Sequence, residues 1–582
     1  MKLWTLAALL GLSLTAAAAP VKDPDTYTYL TLSDQDSLDP AYSYDTASHL
    51  VIFNVYESLF FYDGSSTEKL VPHLATKVPS RANGLISPDG KTYTIPLRKG
   101  VKFQDGSPFT PEDARYSLMR FMLQDRDAGP SSLLMEPLLG YPATRDAKGV
   151  LNPNSWKDAD KAVSLKGDNL ILKLPRPDAS ILTILAQWAP IVSRAWAVKN
   201  GDWDGTEATW AKFNNPKKES TPFYNRMNGT GPFALERWDS TTKTMILARN
   251  EGYWRAPAKL KRVIIKGVDE FATRKLKLQA GDADAIYADR PVISQLEGIE
   301  GVQLIDDLPT VEMNPAVYFT FDINPTGNPN IGSGKFDGDG ITKDFFADIN
   351  VRKGFAYSFD YEGFLKDVFR GKGVQATSAI PRALAGHNPK QKTYKFDPAK
   401  AAEHFKKAHG GKVWEKGFRF TLTFNSGNVP RQTLCQIIKR NVEALNPKFR
   451  IDVRPVQWST FLDGQKAHKL PMFTLGWNAD YPDPHNFTFP FYHSKGQYLV
   501  VQNYSNPAMD KLVEAGQKET DPAKRKKIYF ELQALAYEEV PHLVLVDTAK
   551  FRTQRSWVKG WYHNPIFPDS PYGSYFYPIY KQ

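Results

Sequence analysis

The chain has 582 residues, several times the usual ~100–200 residues of one domain, so more than one core is expected. Hydrophobic residues make up 42% and charged residues 24%, proportions of a globular protein that exclude wholesale disorder. The formal net charge is +11, but basic and acidic residues are interleaved without a long basic block, which does not argue for a nucleic-acid partner. Cys435 is the single cysteine, so the chain can form neither an internal disulfide nor a cysteine-based zinc site.

The first residues are typical of a secretory signal. An apolar run ends in small residues, with Ala16 and Ala18 at the two positions that precede cleavage. We therefore predict a signal peptide over residues 1–18 and a mature chain beginning at Ala19. The alternative is an N-terminal anchor helix, although the run is shorter than the ~20 residues that span a bilayer. No cysteine follows the segment, so we expect an exported, periplasmic or extracytoplasmic protein that is soluble rather than lipid-anchored.

Between about residues 60 and 215, short alternating stretches are separated by clusters of Gly, Pro, Asn and Asp. Thr92–Arg98 and Leu170–Leu174 alternate with the period of strands, which predicts an antiparallel, loop-rich region. Along the whole chain, helices are predicted wherever a short oxygen-bearing side chain precedes proline. That side chain caps free N–H groups, and proline suits the first helical turn. The predicted N-caps are Thr110, Asp397, Asn506 and Asp521.

Residues 418–456 are predicted to form a strand–helix–strand unit. Phe418–Phe424 alternates with period two, apolar residues recur at helical spacing over residues 430–445, and Ile451–Val456 is the second strand. Parallel strands joined by a crossover helix indicate an α/β lobe, and such lobes bind ligands beyond the carboxyl ends of their strands. The loop Asn425–Asn428 lies at such an end.

The chain lacks the short motifs of common hydrolases. It contains no G-x-S-x-G elbow and no H-E-x-x-H pair, and His404 and His409 are five residues apart, which misaligns them on a helix. Gly371–Ala376 fits a dinucleotide fingerprint only nominally, because it follows a helical pattern rather than a strand. These absences favour a protein without catalysis, a cofactor or a metal site. Paired carboxylates for glycoside hydrolysis have no fixed spacing in sequence, so a secreted hydrolase stays open as an alternative.

The most informative stretch lies between residues 458 and 493. The apolar run Met472–Leu475 reads as a buried strand and leads directly into a loop bounded by prolines. Polar and aromatic side chains follow it: Trp477, Asn478, Asp480 and Tyr481. Carboxylates at a strand end beside tryptophan suit a cationic or amphipathic ligand. The equal alternative is a core tryptophan with a turn whose aspartates cap backbone N–H groups.

Short characteristic stretches are distributed over essentially the whole mature chain. They are Ser37–Pro40, Asn54–Leu59, Leu70–Ala75, Ser87–Tyr93, Leu97–Gly106, Thr110–Ala114, Gly229–Phe233, Gln279–Asp282, Asp348–Arg352 and Tyr394–Pro398. In this order they resemble the large extracytoplasmic solute-binding proteins of bacterial ABC importers. The resemblance is to the dipeptide- and oligopeptide-binding proteins of solute-binding protein family 5.

The resemblance implies an α/β protein with the two-lobe periplasmic-binding-protein fold of class II, cluster C type. Two lobes joined by a hinge close on a ligand in the cleft, and an extra subdomain lies on the first lobe. The implied division is residues 1–18 as signal peptide, 19–59 and 215–310 as two segments of lobe I, 60–214 as its extra subdomain, 311–540 as lobe II, and 541–582 as the return to lobe I.

The resemblance also implies roles for particular residues. In peptide-binding members the aspartate after Gly-Trp accepts the free amine of the peptide, and Asp480 is at the matching position. Trp477 and Trp458 match aromatic positions beside side-chain pockets, with Asn478 in the same stretch. Tyr44 lies in the loop where the first lobe touches the ligand. We include the neighbouring Tyr481 among the predicted ligand-binding residues.

The sequence departs from the family at the positions of the ligand-facing arginines. Spacing back from Trp477 places Thr474 and Gln465 there, with Lys466 only a neighbour, so the resemblance names no residue for a peptide carboxylate. The predicted function is a monomeric receptor that binds a peptide-like solute and delivers it to an ABC permease. The alternative within the family is a receptor for an oligosaccharide or another solute, in which the tryptophans would serve as stacking platforms.

Overall fold

The computed structural model describes residues 21–582 apart from residues 68, 147, 179 and 520, and the predicted signal peptide lies outside the described residues. In the described chain the strands are β1 (Thr26–Thr31), β2 (Phe60–Tyr62), β3 (Leu70–Pro72), β4 (Thr92–Pro96), β5 (Val163–Lys166), β6 (Asn169–Lys173), β7 (Phe233–Asp239), β8 (Thr244–Arg249), β9 (Arg262–Gly267), β10 (Ala285–Ile286), β11 (Val302–Leu308), β12 (Glu312–Phe319), β13 (Gly373–Gln375), β14 (Phe418–Asn425), β15 (Phe449–Val456), β16 (Met472–Asn478), β17 (His542–Val544), β18 (Val546–Thr548), β19 (Lys550–Arg555), β20 (Val558–Lys559) and β21 (Tyr580–Lys581).

The α-helices of the same residues are α1 (Thr46–Val55), α2 (Pro111–Gln124), α3 (Ser132–Leu139), α4 (Ser155–Ala162), α5 (Ile181–Gln187), α6 (Arg194–Lys199), α7 (Phe271–Ala280), α8 (Ile349–Ser358), α9 (Tyr361–Val368), α10 (Pro398–Lys407), α11 (Lys412–Lys416), α12 (Val429–Glu443), α13 (Trp458–Lys466), α14 (His485–Tyr492), α15 (Gln497–Gln502), α16 (Pro507–Lys518) and α17 (Pro522–Glu539). Among the residues described, no helix combines the length and apolarity needed to cross a membrane.

A seven-stranded sheet joins strands from both ends of the chain, in the order β11-β19-β10-β1-β9-β8-β7. β1 is parallel to β9 and β10, whereas β19 is antiparallel to β10 and β11. The fully buried rings of Tyr27 and Tyr29 anchor β1 in the core of this sheet. The C-terminal part of the chain therefore completes the sheet that the first described residues begin.

A five-stranded sheet has the order β15-β14-β16-β12-β17. β14 is parallel to β15 and β16, and β12 is antiparallel to β16 and β17. Every residue of β14 except Arg419 is buried, as expected for a central strand that is covered on both faces. This sheet therefore has its own core, distinct from that of the seven-stranded sheet.

The predicted strand–helix–strand unit is confirmed. β14 and β15 pair in parallel along their whole length, and α12 lies between them in sequence. Leu434, Ile438 and Val442 are fully buried on one stripe of α12, which is the face expected to pack on a sheet. The loop after β14 accordingly lies at the carboxyl end of the sheet.

The predicted helix starts are also confirmed, with Thr110, Asp397, Asn506 and Asp521 as the N-cap residues of α2, α10, α16 and α17. Between residues 60 and 214 the strands β4, β6 and β5 form an antiparallel three-stranded sheet, as the alternating stretches predict. Local capping and alternation thus identify the elements at these places.

Within the described residues, the chain crosses between the two large sheets at 309–311 and again at 549. The Thr310 hydroxyl donates to the carbonyl oxygen of Thr548 at 2.8 Å, which bonds the first crossing to the last residue of β18, directly before the second crossing. β17 pairs with β12 and β18 pairs with β13, so residues 542–548 stay with the second half of the fold. The second crossing between the sheets therefore lies at residue 549.

Candidate functional site

A cavity of about 150 Å³ lies between the two large sheets and is lined by residues from both. Its walls come from the loop after β1, the start of α1, the ends of β14 and β16, the facing sides of α12 and α13, and residues 566–572. Its size suits a small solute.

The structure brings most of the predicted site residues to this cavity. Those that line it are Tyr44, Trp458, Trp477, Asn478 and Asp480. Tyr481 does not line it and faces a smaller neighbouring cavity, which also borders Glu136 and His485. Asp480 and Tyr481 lie in the bend after the end of β16, and their side chains border different cavities.

Asp480 is a buried carboxylate, only 5% exposed. Its Oδ2 accepts a hydrogen bond from the Tyr44 hydroxyl at 2.9 Å and another from Asn486 Nδ2 at 2.9 Å. The backbone N–H of Asp480 donates to Asn486 Oδ1 at 2.7 Å, which fixes the orientation of the amide. Burial raises the pKa of Asp480 to about 7, and the two donated hydrogen bonds only partly oppose this shift.

Aromatic rings surround this carboxylate. Tyr44 packs edge-on against Trp477, with ring centroids 5.3 Å apart, and against Trp188 at 5.2 Å. Trp458 lies nearly parallel to Phe461 at 5.7 Å, and its indole N–H donates to Asp45 Oδ1 at 3.2 Å. Tyr44 and Asp45 precede α1, whereas Trp458 and Trp477 belong to α13 and β16. The rings therefore bring the two halves of the molecule together around Asp480.

Ionic contacts also cross the cleft beside the cavity. Asp36 is buried and accepts from Lys466 at 3.0 Å and from Lys218 at 2.9 Å. Burial alone would raise the pKa of Asp36, but the two lysines hold it below its usual value. Ser459 donates to Asp34 at 2.9 Å on the same side. Lys466 is therefore engaged in an ion pair that joins the two halves of the molecule.

Thr474 and Gln465, which stand where the spacing would place the family's ligand-facing arginines, are both buried. Gln465 lines the cavity, whereas Thr474 is fully buried within β16 and does not reach it. Neither side chain carries a charge, so these positions supply no cation to the cavity.

Sequence reasoning missed a cation that the structure places in the cavity wall. Arg431 lines the cavity from the first turn of α12 and is 7% exposed. Its guanidinium donates to Asn425 Oδ1 at 2.8 Å and to Asn314 Oδ1 at 3.0 Å. Burial lowers the pKa of Arg431. A cation in the first turn of a helix opposes the helix dipole, and that local conflict was the available signal.

Two further charged groups line the cavity near its base. Asp569 accepts from the Tyr29 hydroxyl at 2.8 Å, and burial raises its pKa to about 6. Lys550 forms an ion pair with Glu312 at the start of β12. Among the residues that the structure describes, no group of three or more His, Cys, Asp or Glu side chains is arranged to hold a metal ion. The lining of the cavity thus includes both charged and neutral hydrogen-bonding side chains.

Two open sheets with a small cavity between them define the class of two-lobe binding proteins, and comparison with solved structures agrees. A periplasmic binding protein from Helicobacter pylori, DppA, solved with the peptide STSA, superposes with a TM-score of 0.74 at 20% identity, covering 96% of this chain and 98% of that one. The fold is thus the two-lobe periplasmic-binding-protein fold, as expected from the sequence.

The model of the bacterial extracellular solute-binding proteins, family 5 (middle region), matches residues 69–498, and the chain belongs to that family. The dipeptide-binding protein of Escherichia coli K12 is 25% identical over 576 residues, which is 96% of each chain. Heme-binding protein A of Haemophilus influenzae is also 25% identical, over 564 residues that cover 94% of this chain and 92% of the relative. Relatives of similar identity thus carry names that refer to different solutes.

Proposed function

We propose that this protein is an extracytoplasmic receptor that binds an amine-bearing, peptide-like solute in the cleft and delivers it to an ABC-transporter permease. The observation that carries the proposal is the buried carboxylate of Asp480, which faces the cavity. Within the described residues no Lys, Arg or His nitrogen lies within 4.0 Å of it. Its partners are the neutral donors Tyr44 and Asn486.

A buried carboxylate without a cation costs free energy, because the loss of hydration is not offset by an opposite charge. An ammonium group of a ligand would supply that charge inside the cavity. Trp477, packed beside Tyr44, gives the same region an apolar wall for the ligand side chain. The names of the E. coli relative and of the H. pylori structure support a peptide-like solute.

The remaining parts of the proposal concern the context of the receptor. We propose that lobe I comprises residues 21–308 and 550–582, with 60–214 as its extra subdomain, and that lobe II comprises residues 312–548. The protein acts as an exported, soluble monomer that binds its ligand without altering it chemically. Membership of a family of binding proteins supports this, as do the signal-like first residues.

Calorimetry with dialanine and N-acetyl-dialanine tests the amine site. The free amine should bind, and acetylation should weaken binding at least tenfold, because truncating one partner of a desolvated charge pair costs roughly 2–5 kcal/mol. The Asp480→Asn variant should bind dialanine more weakly than the native protein by a similar factor. Its affinity for N-acetyl-dialanine should be little lower than that of the native protein. Asp367→Asn, which removes an exposed carboxylate on α9, is the matched control and should bind as the native protein does.

Equal binding of the acetylated and free dipeptides to the native protein would contradict the amine role. It would favour the receptor for a sugar or another neutral solute, with Trp458 and Trp477 as stacking surfaces. Recovery of cleaved ligand after long incubation would instead favour the secreted hydrolase.

A further inference from the structure

A second carboxylate, Asp569, lines the central cavity in addition to Asp480. It lies in the loop over residues 566–572 and is partly buried. Its Oδ2 accepts a hydrogen bond from the Tyr29 hydroxyl at 2.8 Å, whereas Oδ1 has no donor among the described residues. One neutral hydroxyl is thus the partner of this carboxylate, and Oδ1 is available to a ligand in the cavity.

The cations that act on Asp569 are held by other groups. Lys550 forms an ion pair with Glu312. Arg552 donates to two backbone carbonyl oxygens of the loop after Asp569 and to the Tyr27 hydroxyl. In the described part of the chain no Lys, Arg or His nitrogen lies within 4.0 Å of the Asp569 carboxylate. Burial accordingly raises the pKa of Asp569 to about 6, although both cations oppose the shift from a distance.

The remaining carboxylate in the cavity wall is already engaged. Asp45 is the N-cap of α1, and its Oδ1 accepts from the backbone N–H of Ser48 at 3.0 Å and from the Trp458 indole at 3.2 Å. Its Oδ2 accepts from the Ser43 hydroxyl at 3.3 Å. An acidic side chain is also stabilised by the positive end of the helix that it caps. Asp480 and Asp569 therefore remain as the two carboxylates of the wall that a cationic ligand would compensate.

Asp480 and Asp569 belong to different halves of the molecule. Asp480 follows β16 of the five-stranded sheet, whereas Asp569 follows β19 of the seven-stranded sheet. Asp569 does not contribute to the raised pKa of Asp480, so the two carboxylates are not direct neighbours. Each half thus presents one uncompensated carboxylate to the same cavity.

Helix α1 gives a scale for the offset between the two carboxylates. Tyr44, which bonds Asp480, lies just before α1. An added Cβ at Gly573 would meet both Asp569 and Leu50, so Asp569 lies beside Leu50. Leu50 is four residues along α1, about 6 Å at ~1.5 Å per residue. A lysine carries its ammonium group on a flexible four-carbon stem, which covers about the same distance.

We propose that Asp569 binds a second cationic group of the ligand, so that the receptor selects peptide-like solutes that carry a basic side chain. This inference rests on the proposed function, in which the α-ammonium group of the ligand lies at Asp480. A ligand with two cationic groups would bond one carboxylate of each half and so favour the closed cleft.

The test is calorimetry at about pH 7.5, above the pKa of Asp569, with the dipeptides Lys-Ala and Ala-Lys and their norleucine analogues. Norleucine keeps the four-carbon stem and lacks the ammonium group. At least one lysine dipeptide should bind the native protein about tenfold more tightly than its norleucine analogue, because the analogue leaves Asp569 uncompensated. N-acetylation of that lysine dipeptide measures the α-amine contribution separately.

The Asp569→Asn variant should bind the lysine and norleucine dipeptides with equal affinity and should still reject the N-acetylated form. Asparagine suits the positive φ of 57° at this position, and its amide oxygen can accept from Tyr29. The Asp480→Asn variant should show the reverse, with sensitivity to the lysine charge but little to N-acetylation. Asp367→Asn, which removes an exposed carboxylate on α9, should keep both preferences.

The outcomes separate this inference from the proposal on which it rests. If the native protein binds lysine and norleucine dipeptides equally but rejects the N-acetylated form, Asp569 only holds its loop on β1 and the amine proposal survives. If the norleucine dipeptides are rejected while the N-acetylated lysine dipeptide binds normally, the amine proposal fails and the cation site at Asp569 stands. A series in which no peptide binds would overturn both. The measurements on native protein decide the matter even if Asp569→Asn does not fold.

Discussion

Lowering the pH should weaken ligand binding through Asp480. Its pKa of about 7 means that the carboxyl group of the empty cleft is protonated below neutrality, and a protonated acid does not attract an ammonium group. Each pH unit below 7 should cost about 1.4 kcal/mol, so the affinity at pH 5 should be about 100-fold lower than at pH 7. Above about pH 8 the ligand amine itself loses its proton, which places the optimum between roughly pH 7 and 8.

The same shift predicts an effect on the stability of the ligand-free protein. The folded-state pKa of Asp480 is raised above its ordinary 3.8, so between about pH 4 and 7 the folded protein binds more protons than the unfolded chain. By linkage, this group makes the protein more stable as the pH falls through 7 towards 4 and less stable above 7. A shift of about three units corresponds to about 4 kcal/mol, an upper limit because opening of the cleft rehydrates the carboxylate.

Asp480→Asn removes this penalty while its amide oxygen can still accept from Tyr44 and Asn486. The ligand-free variant should therefore unfold at a higher temperature than the native protein at pH 8. With an unfolding entropy of about 1.2 kcal/mol/K for 582 residues, the rise should be up to roughly 3 °C and should vanish near pH 4. Scanning calorimetry and titration calorimetry from pH 5 to 8 measure both effects. An affinity that stays constant from pH 5 to 7, or a variant less stable at pH 8, would refute the reasoning.

Three further outcomes follow from particular contacts. Tyr44→Phe deletes the hydroxyl that donates a hydrogen bond to Asp480 across the cleft. In small-angle scattering, the ligand-free variant should therefore have a larger radius of gyration than the native protein. An unchanged radius would mean that other contacts hold the two halves together. Gly476→Ala should displace Asn314 and weaken dipeptide binding at least several-fold without changing any charge, as measured by calorimetry, and native affinity would argue against the tight packing there. Cys435 is fully buried and burial raises its thiol pKa, so a maleimide should label it only after unfolding, and rapid labelling of native protein would be inconsistent with that burial.

The features that could be predicted from sequence are those set by neighbouring residues. A cap at Asp397 or Asn506 acts on N–H groups two or three residues away, and the alternation of β14 is visible within eight residues. The family resemblance added the two-lobe fold and drew attention to Asp480. These signals come from neighbouring residues or from the order of motifs along the chain, so they can be recognised without a structure.

The features that could not be predicted depend on contacts between distant residues. The hydrogen bond from Tyr44 to Asp480 joins positions 436 residues apart. Among the described residues, the contacts of Arg431 are to the side-chain amides of Asn425 and Asn314 rather than to a carboxylate, and only the surrounding fold determines whether a charge is compensated. The same holds for residues 542–548, whose pairing with β12 and β13 moves the second crossing to 549.

The two crossing segments determine how the lobes can move. One is three residues long and the other is a single residue, and the hydrogen bond from Thr310 to Thr548 holds the first beside the start of the second. Short connections of this kind favour a hinge rotation of one lobe relative to the other. The displacement of any cleft residue is then proportional to its distance from the pivot. A glycine inserted into either connection leaves every cavity residue in place. It should allow the ligand to contact the cavity residues without the lobes closing on it.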